Sequence, residues 1–126
     1  MRILLDTQAF LWLIAGDRRV TRRARSVFLD PTHEKFLSMA SAWEIAIKQS
    51  LGKLKLAASE IIQTEMRHNA ISFLDIRFSH VTQVGTMAMH HRDPFDRLII
   101  AQAQIEGLPV LGADRAFDRY DVRRVW

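Results

Sequence analysis

Cysteine is absent from the chain, which excludes disulfides and thiolate metal sites together and makes a reducing, cytoplasmic compartment the natural expectation. Long apolar runs are absent as well. Nothing approaches the roughly 20 apolar residues needed to cross a bilayer, so no membrane span is expected. The N-terminal MRILLDTQAFLWLIAG is interrupted at Asp6 and Gln8 and lacks a following small-residue cleavage site, so it is expected to stay on the protein and not to act as a signal peptide. Low-complexity linkers and internal repeats are missing too, and 126 residues that are 48% hydrophobic and 25% charged read as one domain, 1–126, with a single proper core. Negative charge is in deficit. The net charge of +4 and a pI near 10.1 favour a polyanionic partner such as nucleic acid.

What is present is an alternation of strand and helix signals. Arg2–Leu5, 35–39 (KFLSM), 71–76 (ISFLDI) and 109–111 read as strands, the first apolar enough to be buried on both faces. Between them the patterns predict helices over 7–15 ending at Gly16, over 41–54 with Ile45, Ile47 and Leu51 on the buried side, over 59–68, over 79–89, and over 94–106 closed by Gly107. A last turn is expected over 115–120. Strands separated by helices imply parallel crossovers, hence an α/β fold with a central parallel sheet between helical layers. Asp17 is a candidate cap for a helix carrying RRVTRRAR, whose Arg18, Arg22 and Arg25 share helical spacing with Arg19 and Arg23 beside them. That face reads equally as a solvated surface or as a phosphate contact.

The acids fall where such a sheet binds ligands, outside the carboxyl ends of its strands. Asp6 follows the first strand, Asp114 follows PVLGA, Glu44 lies early in the helix after the second strand, and Asp96 lies in the first turn of the 94–106 helix. Gathered at one edge, four carboxylates repel: two unit charges about 4 Å apart cost roughly 4 kcal/mol at an effective dielectric of 20. A hard divalent cation, Mg²⁺ or Mn²⁺, relieves this with oxygen ligands, and suits phosphoryl chemistry. Each acid also has a plainer role. Asp6 and Asp114 suit a turn or a helix cap, Glu44 a solvated helix position, and Asp93, with Pro94 behind it, is the expected N-cap that places Asp96 favourably in the helix dipole. Other constellations fail. A haloacid-dehalogenase type phosphatase needs a second Asp where Gln8 stands, a receiver domain needs an acid near Lys53, and adjacent His90 and His91 on a strand would face opposite ways. Met87 and Met89 read as core, as do Trp12 and Phe36 in preference to a partner surface.

Taken in order, ILLDTQAFLW, SMASAWEIAIKQSLGKLKL, HHRDPFDRLIIAQA and VLGADRAFDRY span essentially the whole chain and resemble a PIN-domain ribonuclease, within that group the VapC-type toxin of a bacterial toxin–antitoxin pair. The resemblance implies a three-layer α/β/α fold and a Mg²⁺- or Mn²⁺-dependent endoribonuclease with Asp6, Glu44, Asp96 and Asp114 as its metal-binding and catalytic acids. Asp6 and Asp96 are the first choice as direct ligands. Thr7, Ser41 and Asp93 are candidates to support them by hydrogen bonds, and Lys48 and Arg97 to contact RNA phosphates, unless either pairs with a nearby acid. It also implies a homodimer and a small antitoxin that blocks the cleft. The chain departs from the family pattern at Gly112, where Thr or Ser usually stands two residues before the last acid, which puts Asp114 in question and makes Asp118 a substitute. An inactive PIN fold serving as an RNA-binding or protein-interaction module is the competing reading, and a DNA-acting nuclease a third.

Overall fold

The computed structural model describes residues 1–54, 58–91 and 93–126. Lys55 and Leu56 of the second quoted segment and Arg92 of the third lie outside them. Five strands, β1 (Arg2–Leu5), β2 (Glu34–Ser38), β3 (Ile71–Leu74), β4 (Val110–Leu111) and β5 (Arg124–Val125), form one sheet in the order β3-β2-β1-β4-β5, with every neighbouring pair parallel. Six α-helices connect them: α1 (Thr7–Ala15), α2 (Arg22–Leu29), α3 (Met39–Ser50), α4 (Ala58–His68), α5 (Phe78–Thr86) and α6 (Pro94–Glu106). A 3-10 turn covers Arg115–Arg119. This is the three-layer α/β/α architecture with a central parallel sheet.

Period-two alternation divides the strands between two cores. Ile3, Leu5, Leu37, Leu111 and Val125 face one side, where Phe10 and Leu13 of α1, Phe28 of α2, Ile45 of α3 and Met66 of α4 close over them. Leu4, Phe36 and Val110 face the other, against Ile99, Ile100 and Ala103 of α6 and Phe117 and Tyr120 beyond β4. Phe36 is thus a core residue as expected, whereas Trp12 is only partly buried against the first core.

The helix ends explain most departures from the sequence reading. Thr21, not Asp17, caps α2, its Oγ1 accepting from Ala24 N (3.0 Å), so Arg18 and Arg19 precede the helix and only Arg22, Arg23 and Arg25 ride on it. The third helix starts two residues earlier than expected, because Ser38 Oγ caps it (3.0 Å from Ala40 N), and ends at Ser50, where Lys53 N donates to Lys48 O (2.9 Å). Leu51 falls beyond it and is 62% exposed, not buried. The fifth helix stops at Thr86, which leaves Met89 outside the core at 72% exposure although Met87 still packs on it. Both β1 and α1 match their expected limits, and α6 ends as expected at Gly107, whose φ of 65° is the left-handed conformation that lacks a penalty only without a Cβ. The strand β5 was not anticipated: RRVW carries only two paired residues and no flanking turn signal.

Chain order puts the switch at the centre of the sheet. From β1 the chain builds outward through β2 and β3, then crosses back to add β4 and β5 on the other side. The crossovers diverge between β1 and β4, opening a crevice at their carboxyl ends.

Candidate active site

Asp6 and Asp114 flank that crevice. The Asp6 backbone N–H donates to Leu111 O (2.9 Å) at the end of β4, and its carboxylate caps α1 through Ala9 N (3.2 Å). Asp114 caps the 3-10 turn through Ala116 N (2.9 Å). Asp93 caps α6 through Phe95 N (2.9 Å) and Asp96 N (3.2 Å), with Pro94 at the first helical position, and sets Asp96 one turn inside. Three helical segments therefore aim their amino ends at one place, which lowers the cost of holding negative charge there. Glu44 enters from the side of α3. These acids line one cavity of ≈ 440 Å³ together with Thr7, Gln8, Trp12, Lys48, Asp93 and Ala113. The four acids predicted from sequence are thus brought together.

Buried hydrogen bonds tie the carrying elements to one another. Thr7 Oγ1 donates to Ser41 Oγ (2.7 Å), linking α1 to α3, and Ser38 Oγ donates to Gln102 Oε1 (2.6 Å), linking the start of α3 to α6. Thr7 and Ser41 thus support the site by fixing its helices, and their hydroxyls bond to each other.

The electrostatics are unbalanced. Burial pushes the Asp6 carboxyl up to about 6, helped by the neighbouring Glu44 and Asp114 and opposed by the Ala9 N–H. Burial, then Asp6 and Asp93, raise Asp96 to about 7, with His91 pulling the other way. Lys48 Nζ, 3.0 Å from Glu44 Oε2, is the lysine that lines the cavity. Glu44 Oε1 has no partner at all, alone among the buried side-chain oxygens and nitrogens of the described residues. A buried oxygen without a donor costs free energy unless something electropositive meets it, and an oxygen-rich, cysteine-free donor set of this kind fits a hard divalent cation.

Three expectations change. Arg97 is not a phosphate contact: it is 8% exposed, with its guanidinium donating to Ala88 O and Val84 O (both 3.1 Å), because the helix turns it toward α5 and the loop after it. Asp118 does not substitute for Asp114, since it is spent on a two-pronged pair with Arg124 (2.9 and 3.1 Å). Gly112 has a structural reason. A Cβ there would meet Asp6 Cβ at 3.0 Å and Phe117 at 3.4 Å, so the bare backbone is what allows β4 to end so close to the first acid.

One residue escaped the sequence reading. His91 and His90 lie in a loop, not a strand, and diverge: His90 stacks edgewise on Tyr120, whereas His91 Nε2 lies 3.0 Å from Asp96 Oδ2 and 3.1 Å from Asp114 Oδ2. The available signal was its place two residues before the N-cap Asp93, close enough to fold back on the first turn of α6.

Fold and site together define an α/β protein with a carboxylate cleft at the switch point of a parallel sheet. The chain belongs to the PIN-domain family, whose profile matches residues 3–123. Solved structures with the same fold include the VapBC2 complex of Rickettsia felis bound to a promoter DNA fragment (13% identity, 99% of this chain and 98% of that one, TM-score 0.73). The DNA-bound VapBC of Salmonella typhimurium (20%, 99% and 97%, TM-score 0.73) and VapBC-1 of nontypeable Haemophilus influenzae (18%, 99% and 97%, TM-score 0.72) are similar to the same degree. Among curated protein sequences, none matches.

Proposed function

We propose that this protein is a divalent-cation-dependent endoribonuclease, the toxin of a toxin–antitoxin pair. The observation that carries this reading is the orphaned Glu44 Oε1 in a cavity shared with Asp6, Asp96 and Asp114. Asp6 and Asp96 would hold the cation directly, and Glu44 and Asp114, which line the same cavity, would complete the site. The chemistry that Mg²⁺ or Mn²⁺ would supply when bound there is a water of lowered pKa and positive charge to offset what develops on a phosphodiester. The chain's own residues do the rest. The amino ends of α1 and α6 favour the anionic substrate, Glu44 or Asp114 accepts the proton from the attacking water, and Lys48, paired with Glu44 Oε2 as its sequence allowed, offsets part of the acids' charge at the cavity wall. The net charge of +4 and the exposed Arg18, Arg22, Arg23 and Arg25 support a polyanionic substrate.

Likeness to VapBC complexes supports a small DNA-binding antitoxin as partner. Exposed Phe73 on the edge strand β3, with Phe78 and Val81 on α5, supports a second copy of the chain as another. No helix among the described residues is long and apolar enough to cross a membrane, and the cytoplasm is the proposed site of action.

The test is incubation of purified protein with structured RNA and with duplex DNA, each with Mg²⁺, Mn²⁺ or EDTA, alongside Asp6→Asn. Cleavage of RNA that needs the metal and is lost in the variant is expected. Faster cutting of DNA would redirect the substrate, and no cutting under any metal condition would leave a binding module.

A further inference from the structure

We propose that His91 is a positioning residue of the cleft: through its Nε2–H it holds the exposed Asp114 against Asp96. This rests on the reading that the cleft binds a divalent cation. Asp114 is the weakest-placed of the four acids, on a surface segment after β4 with its side chain 48% exposed. Its Oδ1 is taken by the 3-10 turn it caps, and its Oδ2 by His91 Nε2 at 3.1 Å. The same nitrogen lies 3.0 Å from Asp96 Oδ2, so the imidazole stands between an acid on α6 and an acid beyond β4.

Three atoms at such distances, from His91, Asp96 and Asp114, have the outline of a three-ligand metal site. The other ring nitrogen argues against that. The Asp93 backbone N–H donates to His91 Nδ1 (3.1 Å), so Nδ1 is an acceptor and the ring proton resides on Nε2, where it faces the carboxylates. A nitrogen that carries a proton has no lone pair for a cation, and a ligating histidine would donate from its second nitrogen instead of accepting there. The pair Asp96 and Asp114 thus supplies ligands, and His91 supplies the donor that sets their separation.

The surroundings hold the ring for this task. Tyr120 Oη accepts from His90 N (3.0 Å) and His91 N (2.8 Å) and donates to Ala88 O (3.0 Å), and the His91 ring stacks at 28° to that of Phe117, 6.4 Å between centroids. Both aromatic residues belong to the segment that follows Asp114, so the loop before α6 and the segment after β4 are locked to each other. This also gives Asp93 a second role through its backbone, independent of the carboxylate that caps α6.

The experiment is a double-mutant cycle read by calorimetric Mn²⁺ binding, with RNA cleavage measured alongside. His91→Ala is expected to weaken Mn²⁺ binding roughly 10-fold, and His91→Gln, whose amide can still donate, to lose less. In an Asp114→Ala background, which removes the acceptor, His91→Ala is expected to cost nothing further, because it acts through Asp114. Pulsed EPR of wild-type protein loaded with Mn²⁺ should show no histidine nitrogen coupling that depends on residue 91. Additive losses in the cycle, or a nitrogen coupling that disappears in His91→Ala, would overturn the proposal. If the Mn²⁺ pattern holds but RNA is never cut, His91 keeps its role and the nuclease reading falls. If RNA is cut and the cycle is additive, the reverse is true, and a wild-type protein that binds no Mn²⁺ overturns both.

Discussion

Aspartates in two regions of this molecule respond to their surroundings in opposite directions. At the surface, Asp17 is held by Arg19 near 2, and the Arg124 guanidinium likewise keeps Asp118 below the usual carboxylate range. In the cleft, Asp6 and Asp96 are pushed up to about 6 and about 7, chiefly by burial and then by other acids. The surface pairs satisfy themselves in solvent, where such pairs contribute little. The cleft acids are held in place against their own electrostatics by caps, by buried hydrogen bonds between α1, α3 and α6, and by a tight strand end. An arrangement that the fold maintains at a cost supports the proposal that the cleft is the site of the chemistry.

The sharpest way to break the comparison is to remove one acid from each region. Asp96→Asn should abolish metal-dependent RNA cleavage, a loss of roughly 10³-fold or more if several kcal/mol of charge stabilisation go with it, and should leave the ion-free protein at least as stable at neutral pH. Asp118→Asn should leave the rate within about twofold, since exposed pairs are worth little. Equal losses in the two variants, measured by initial rates, would erase the distinction between the regions.

Next in size is the pH dependence of stability without metal. For Asp6 and Asp96 the folded pKa lies above the ordinary 3.8, so between those values the folded state binds more protons than the unfolded chain. Their contribution is therefore most favourable below about 4 and is lost as pH rises toward 7. The surface pairs run the other way: what they contribute is present above 3.8 and is lost as pH falls. Thermal midpoints in EDTA should fall between pH 5 and 7.5, and Asp96→Asn should flatten that slope. Added Mn²⁺ should raise the midpoint more at pH 7.5 than at pH 5. A slope that survives Asp96→Asn would assign it to other groups.

Smaller effects are expected from the strand end and the cap. Gly112→Thr should destabilise by about 1–3 kcal/mol, the usual cost of overpacking. Its Cβ lands 3.0 Å from Asp6 Cβ, a backbone-anchored atom that cannot swing aside. Denaturant titration measures this, and a stabilised variant would mean that β4 yields more easily than the geometry implies. Asp93→Ser should change both stability and rate least of all, because serine caps as well as aspartate and the backbone donor to His91 is kept.

Much of this was legible beforehand. Strand β1 and helices α1, α4 and α6 stand within a residue of where periodicity, Pro94, Gly16 and Gly107 place them, since those signals are local and strong. That Asp6, Glu44, Asp96 and Asp114 gather in one cavity was legible because a parallel sheet exposes the residues after its strands. Leu51 and Met89 were misplaced where a helix ended sooner than its apolar pattern. Arg97 was misplaced because a cation on the buried side of a helix can spend its donors on backbone carbonyls, a choice settled by a neighbouring helix and the loop after it.

What the sequence determined by itself is the alternation of elements, the two-sided apolar strands, the caps and the identity of the acids, all of which depend on neighbours within a few residues. Only the tertiary structure decided that β1 and β4 would meet, that Gly112 would press on Asp6, that Glu44 Oε1 would lack a donor, and that His91 would lie between Asp96 and Asp114. Those are relations between segments far apart in the chain, and they follow from how the sheet and its helices pack.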